Sequence, residues 1–468
     1  MRIPAIAAAA ALLAAPPATA QPLRPDQAAF RELYKELVET NTTLSEGDCS
    51  LAAKRMLDRL SAAGIPGDQL VLFKPEGHPK EGMLVVIYPG TNRKLKPMLL
   101  LAHVDVVEAK RSDWQRDPFT LIEQDGYFYA RGSYDDKAQA AIWTDTLVRF
   151  AREKYKPRRT IKLALTCGEE TTGAFNGAQW LTQNRRELID AAFVLNEGGP
   201  GRTDKPGGKL LVQTVQVGEK TYQDFLLTAT NVGGHSSVPV RDNAIYEMGD
   251  ALAKVREFRF PLEFSDTTRA YFAKGGAMQN NALGKAMVAL AANPADASAE
   301  ATVSQDRNLN SMLRTTCVAT LIEGGHAKNA LPQTVKANVN CRMFPGRTPT
   351  ETRAALEQAI GNPAVRVEIR VQDRPIAISP PLDPAIIGPM ERLSAKHFPG
   401  VPLVPAMSTG ATDGLCFSAV GIPVYGAPGL WRDPDNNGVH GLDERIAVQS
   451  LYQGRDYLHE LVRVLSSK

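Results

Sequence analysis

Short apolar runs recur along this chain at 83–88, 98–102, 161–166, 191–195 and 422–425, and segments with helical spacing of apolar residues, 139–152 and 178–188, stand between them. A short run without polar alternation suits a strand buried on both faces. Such strands, separated by helices, predict a layered α/β/α sheet domain. Before it, residues 27–60 carry Phe30, Leu33, Leu37, Leu51, Met56 and Leu60 at helical spacing, and Gly64-Ile65-Pro66-Gly67 closes that stretch.

The middle of the chain has a different order: a strand at 224–230, a helix at 243–255, strands at 315–322 and 334–343, a helix at 350–360 and a strand at 365–371. This β-α-β-β-α-β sequence is that of a ferredoxin-like domain. Residues 257–311, rich in Ala, Asn and Ser with weak periodicity, read as an insertion within it. After Pro375 the strand-helix rhythm returns. The expected division is therefore a sheet domain in two parts, 21–218 and 375–468, interrupted by a smaller α+β domain at 219–374.

Arg2, the apolar run 3–15 and Ala18-Thr19-Ala20 form the pattern of a secretory signal, which places the cut after Ala20 and the product in the periplasm or outside the cell. The run is shorter than the roughly 20 residues a span requires, so no membrane anchor is expected. With 54 Lys+Arg against 51 Asp+Glu, the net charge of +3 supplies no basic stripe for a nucleic acid. Five cysteines leave at least one unpaired within the chain, and Cys317 and Cys341, in two neighbouring β-like segments, are the suspected pair.

Ligands of open α/β sheets gather at the carboxyl ends of strands. There the chain places His103 and Asp105 after 98–102, Asp135 and Asp136 after 126–132, Glu169 and Glu170 after 161–166, and Glu197 after 191–195. His440 stands in Gly438-Val439-His440-Gly441. Alone, each of these reads as an ordinary surface pair, helix cap or turn. Together, two imidazoles and several carboxylates suit zinc or a similar divalent ion, with carboxylates to spare for orienting a ligand or serving as a base. His78, His326, His397 and His459 lack such company and read as structural or surface groups, and no Gly-x-Ser-x-Gly elbow of a serine hydrolase occurs.

The stretches His103-Val104-Asp105-Val106-Val107, Trp114 with Asp117-Pro118-Phe119, Ala130 to Lys137, Gly168-Glu169-Glu170, Asn196-Glu197-Gly198, Gly234-His235-Ser236-Ser237 and His440 carry a specific resemblance. In order and spacing the mature chain resembles the di-zinc amidohydrolase and peptidase family of carboxypeptidase G, aminoacylase, carnosinase, carboxypeptidase S and succinyl-diaminopimelate desuccinylase. The resemblance implies that His103 and Glu197 bind one metal, Glu170 and His440 a second, and that Asp135 bridges them across a cis bond to Asp136. It also implies that Asp105 holds the other ring nitrogen of His103 and that Glu169 is the general base. His235 would donate to the developing oxyanion, often from a partner subunit. Asn329, Arg342 and the loop with Gly410 and Thr412 would face the substrate's free carboxylate. One departure is Ala138, where the family usually has Gly.

The implied cofactors are two zinc ions, with manganese or cobalt as alternatives. The implied activity is cleavage of the amide next to a C-terminal amino acid, of carboxypeptidase or dipeptidase type. An N-acyl or N-carbamoyl amino acid amidohydrolase is the alternative, since the metal site is shared. The substrate would be a peptide or N-acyl amino acid, and the implied assembly is a homodimer through the smaller lid domain. A non-catalytic exported binding protein is a further reading, against which stands the complete ligand set with a base beside it.

Overall fold

The computed structural model describes residues 23–171, 173–371 and 375–468; the signal read at 1–20 lies outside them. Its main sheet runs in the order Leu70–Phe73, Met83–Tyr88, Ile161–Thr166, Met98–His103, Phe193–Asn196, Val424–Gly426, Leu210–Glu219, Gly201–Thr203 and Trp431–Arg432, with Leu403–Ser408 also beside Leu210–Glu219. Met98–His103 pairs in parallel with Ile161–Thr166 and with Phe193–Asn196, which pairs in parallel with Val424–Gly426. All residues of Met98–His103 and Ile161–Thr166 are buried, which is why both read as unbroken apolar runs.

Alternate residues of these strands enter two different cores. Leu84, Val86, Met98 and Leu100 pack with Phe30, Met56, Trp143, Met390 and Leu458 from the helices on one face. Met83, Val85, Leu99 and Leu101 pack with Leu181, Ile189 and Phe417 on the other. The layered α/β/α reading is therefore met. Two local readings are corrected. Residues 178–188 form two helices, Gly177–Asn184 and Arg186–Ile189, broken at Arg185. Of 126–132 only Tyr127–Tyr129 is a strand, and it belongs to a side sheet with Ile122–Gln124 and Arg445–Ala447. Asp135 and Asp136 thus lead into the helix Lys137–Arg152 rather than ending a main-sheet strand.

A second, antiparallel sheet has the order Thr316–Gly324, Thr334–Met343, Thr221–Thr230, Val365–Ile369. The helices Ala244–Glu257 and Pro349–Ile360 cover one face, burying Met248, Ala251, Leu356 and Ile360 against Phe225, Leu227, Val339 and Cys341. Cys317 lies opposite Cys341 and the two form a disulfide. Sequence reasoning did not anticipate a second disulfide, Cys49–Cys167, between residues 118 positions apart. Cys416 is left as a buried thiol.

Residues 257–311 contain most of four helices, Asp266–Ala277, Ala282–Ala292, Ala297–Val303 and Arg307–Leu313. Their polar content is capping: the side chains of Ser265, Asn281, Asp296 and Asp306 each accept a backbone N–H of the helix that follows. Phe272, Met287, Leu290, Val303 and Leu313 form a core with Met407 from the main-sheet strand Leu403–Ser408, so the insertion is anchored on the large sheet. No helix among the described residues is long and apolar enough to cross a membrane.

His459 is buried on the helix Val448–Ser466, against the Phe150 ring, with its Nε2 3.3 Å from Arg463 Nη2. Burial, reinforced by Arg149 and Arg463, pushes its imidazole down to about 2. Below the ordinary value near 6.5 the unfolded chain takes up a proton that the folded chain refuses, so stability falls with falling pH. At pH 5 the loss from this group should be about 2 kcal/mol. His459→Gln should remove that acid sensitivity in denaturant titrations between pH 7 and 5; an unchanged slope would show that other groups set it.

Candidate metal centre

His103 is the last residue of the buried strand Met98–His103 and is itself buried. The neighbouring parallel strand Ile161–Thr166 runs into Cys167-Gly168-Glu169-Glu170. Gly168 has φ +94°, and a Cβ there would sit 1.9 Å from the carbonyl oxygen of Phe175, so this turn requires glycine. Glu197 directly follows the strand Phe193–Asn196. The Asp135–Asp136 peptide bond is cis, and His440 follows the short 3₁₀ turn Asn436–Gly438 with φ +61°.

These elements bring the groups into contact. His103 Nε2 lies 3.4 Å from Asp135 Oδ1 and 3.6 Å from Glu197 Oε1. His440 Nε2 lies 3.5 Å from Asp135 Oδ2 and 3.0 Å from Glu170. Asp135 therefore turns one oxygen to a His/Glu pair on each side. The contacts of 3.4–3.6 Å are long for hydrogen bonds. Tetrahedral zinc with N and O ligands near 2.0–2.1 Å has ligand–ligand edges of about 3.3 Å, so the donor types and spacings fit divalent ions on both sides of Asp135. His103, Glu169 and Glu170 form a third group close enough to hold an ion.

The charges agree with this fit. Burial pulls the His103 imidazole down, yet Asp105 and Asp135 hold it well above its ordinary value. Asp135 and Glu170 push His440 up to about 10. Burial lifts Glu197 and Asp136 well above the usual carboxylate range and raises Glu170. Asp135 is held low because His103 and His440 outweigh its burial. Most of these groups favour their protonated form, so the cluster is short of positive charge, which a divalent ion would supply.

Asp105 and Thr412 make further contacts around these groups. The atom of Asp105 nearest His103 Nδ1 is its backbone oxygen at 3.1 Å, while carboxylate Oδ1 stands at 3.6 Å. Asp105 Oδ2 accepts the N–H of Glu170 at 3.0 Å, which ties the turn after Met98–His103 to the turn that carries Glu169 and Glu170. Thr412 Oγ1 accepts from Asn196 Nδ2 and from Gly414 N and donates to Glu219, which uses its full hydrogen-bonding capacity. Its hydroxyl thus ties the end of the Phe193–Asn196 strand to Glu219. The adjoining Asp413, buried, accepts from Thr166 and from Asn176, which also donates to the Gly168 carbonyl.

His235 is exposed, pairs with Ala330 in a two-stranded ladder, has its Nδ1 2.7 Å from Ser237 Oγ and is no member of the metal-competent groups. Asn329 lies beside it, its carbonyl accepting the N–H of Ser236. Arg342, on Thr334–Met343, lies over the Tyr222 ring at 4.8 Å, and the Gly410 N–H is bound by Ser408 Oγ. Sequence reasoning missed Arg432, whose guanidinium lies over Tyr134 and lines a small cavity with Asp135 and Glu197. Its only sequence signal was proximity to His440.

An α/β/α sheet that gathers imidazoles and carboxylates of this spacing defines a metal-dependent hydrolase. The chain belongs to peptidase family M20/M25/M40, which it matches over residues 99–464, and it is an enzyme of the metallopeptidase and amidohydrolase type. It is 28% identical over 383 residues to the human N-fatty-acyl-amino acid synthase/hydrolase PM20D1, covering 80% of this chain and 75% of that protein. It is 26% identical over 404 residues to the probable carboxypeptidase S-like 2 of Dictyostelium discoideum, covering 81% and 74%. The fold matches that of the M20 metallo-carboxypeptidase Sso-CP2 from Sulfolobus solfataricus with a TM-score of 0.70 at 17% identity, over 95% of this chain and 100% of that one.

Proposed function

We propose that this enzyme is exported and hydrolyses the amide that joins a peptidyl group to a C-terminal amino acid with a free carboxylate. The observation that carries this reading is Asp135, with one oxygen toward His103 and Glu197 and the other toward His440 and Glu170. His103, Asp135 and Glu197 would hold one zinc ion, and Asp135, Glu170 and His440 the other, with manganese or cobalt able to replace zinc. When bound, the pair would polarise the amide carbonyl and acidify water. Glu169 takes the proton from the attacking water and passes it to the leaving amine. His235 donates to the carbonyl oxygen as negative charge develops there. Asn329, Arg342 and the Gly410 loop hold the carboxylate.

Export is supported by the leader pattern and by two disulfides, which persist in oxidising compartments. A homodimer through the smaller domain is supported by Thr316–Gly324, an edge strand exposing Val318, Leu321 and Ile322. A second reading, removal of the acyl group from an N-acyl amino acid, is favoured by the 28% identity to an N-fatty-acyl-amino acid synthase/hydrolase.

The test incubates mature protein, with and without a chelator, with dipeptides and with N-acetyl and N-oleoyl amino acids, and quantifies released amino acid. Release that the chelator abolishes and added divalent metal restores is expected, and the panel divides peptidase from acylase. No release with zinc, manganese or cobalt, while panel members still bind, would replace the hydrolase by a binding protein.

A further inference from the structure

We infer that Glu444 and Arg131, outside the metal-competent groups, form a positioning clamp that sets Asp135 and His440 at their mutual distance; this rests on the two-metal reading above. Glu444 is 1% exposed, and its carboxylate receives four hydrogen bonds. Oε2 accepts from Arg131 Nη1 at 2.7 Å and from Gly132 N at 2.9 Å. Oε1 accepts from Tyr134 N at 2.9 Å and from the N–H of Asp135 itself at 3.0 Å. A carboxylate offers about four acceptor sites, so this one is fully committed to the loop that carries Asp135.

Arg131 extends the clamp to the other ligand. While Nη1 binds Glu444, Nη2 donates at 2.7 Å to the carbonyl of Gly441, the residue after His440. The guanidinium lies over the Trp114 ring at 5.0 Å, which fixes its plane. Behind the pair, the Ala130 N–H binds the Glu444 carbonyl, and Arg445–Ala447 pairs with Tyr127–Tyr129. Two segments more than 300 residues apart in sequence are thereby locked in register, one ending in each ligand. The charged pair itself is buried almost completely, so breaking either partner would leave an uncompensated buried charge. Its charge and fork geometry hold two loops that have no regular structure of their own at the ligands.

The test strips the full-length mature protein with a chelator and titrates zinc calorimetrically into wild type, Glu444→Gln and Arg131→Lys, with circular dichroism as a check on folding. Glutamine keeps the shape of Glu444 but turns an N–H₂ toward donors on one side. Wild type should bind two ions. Glu444→Gln should lose about 10–100-fold in affinity, most for the ion held by His440 and Glu170, with its spectrum unchanged. Arg131→Lys keeps the charge but cannot bridge both acceptors, and carries the test if Glu444→Gln does not fold; it should lose about tenfold at the same ion. Wild-type affinities for both ions in the folded variants would overturn the clamp and leave the metal reading intact. A wild type that binds no ion would overturn both.

Discussion

Glu169→Gln is expected to lower kcat by about 10²–10⁴-fold while the protein retains its full complement of metal. The substitution preserves size and shape and removes the ability to take a proton. Glu169 is buried on the turn between Gly168 and Glu170, within reach of a group that also contains His103. That geometry would equally allow Glu169 to be a ligand. Metal analysis beside the rate measurement separates the roles: a base leaves the stoichiometry unchanged, whereas a ligand takes metal and rate down together. A variant with wild-type kcat would remove Glu169 from the mechanism.

Replacing Cys49 and Cys167 together by serine should destabilise the folded chain by about 5 kcal/mol, because the bridge closes a very long loop. The Cys317–Cys341 bridge spans only 24 positions, and its removal should cost about 3.5 kcal/mol on the same basis. Denaturant midpoints of the two double variants would establish the order. The first should also reduce activity in the fraction that remains folded, since Cys167 immediately precedes Gly168-Glu169-Glu170. If its midpoint and kcat equal those of wild type, neither the loop-closure estimate nor the role of this bridge in steadying the turn survives.

The sheet was legible because its central strands are buried on both faces, leaving unbroken apolar runs in the sequence. His103, Glu170 and Glu197 were legible for the same reason, each standing where such a run stops. Leu210–Glu219 went unread because its outward positions are half exposed and interrupt the apolar signal. In the insertion, short amphipathic helices were hidden by the polar caps between them. The Cys49–Cys167 bridge joins a helix start to a strand end, and neither position announces the other. Glu444 and Thr412 look unremarkable in sequence, since their importance lies in backbone groups and side chains far along the chain. His235, Asn329 and Arg342 were named through resemblance alone, and among the described residues none of them belongs to a metal-competent group.

His440 meets Glu170 across 270 positions of sequence. No amino-terminal fragment that stops short of His440 contains both members of that contact, however well its sheet has formed. That contact must therefore wait for the final segment, and such distant contacts are slow to close. Under the proposed two-metal site, in which Glu170 and His440 share an ion, hydrolytic competence is a late event in the life of each molecule. On that proposal a chain still being synthesised, or cut before its last segment has docked, would be present but inert.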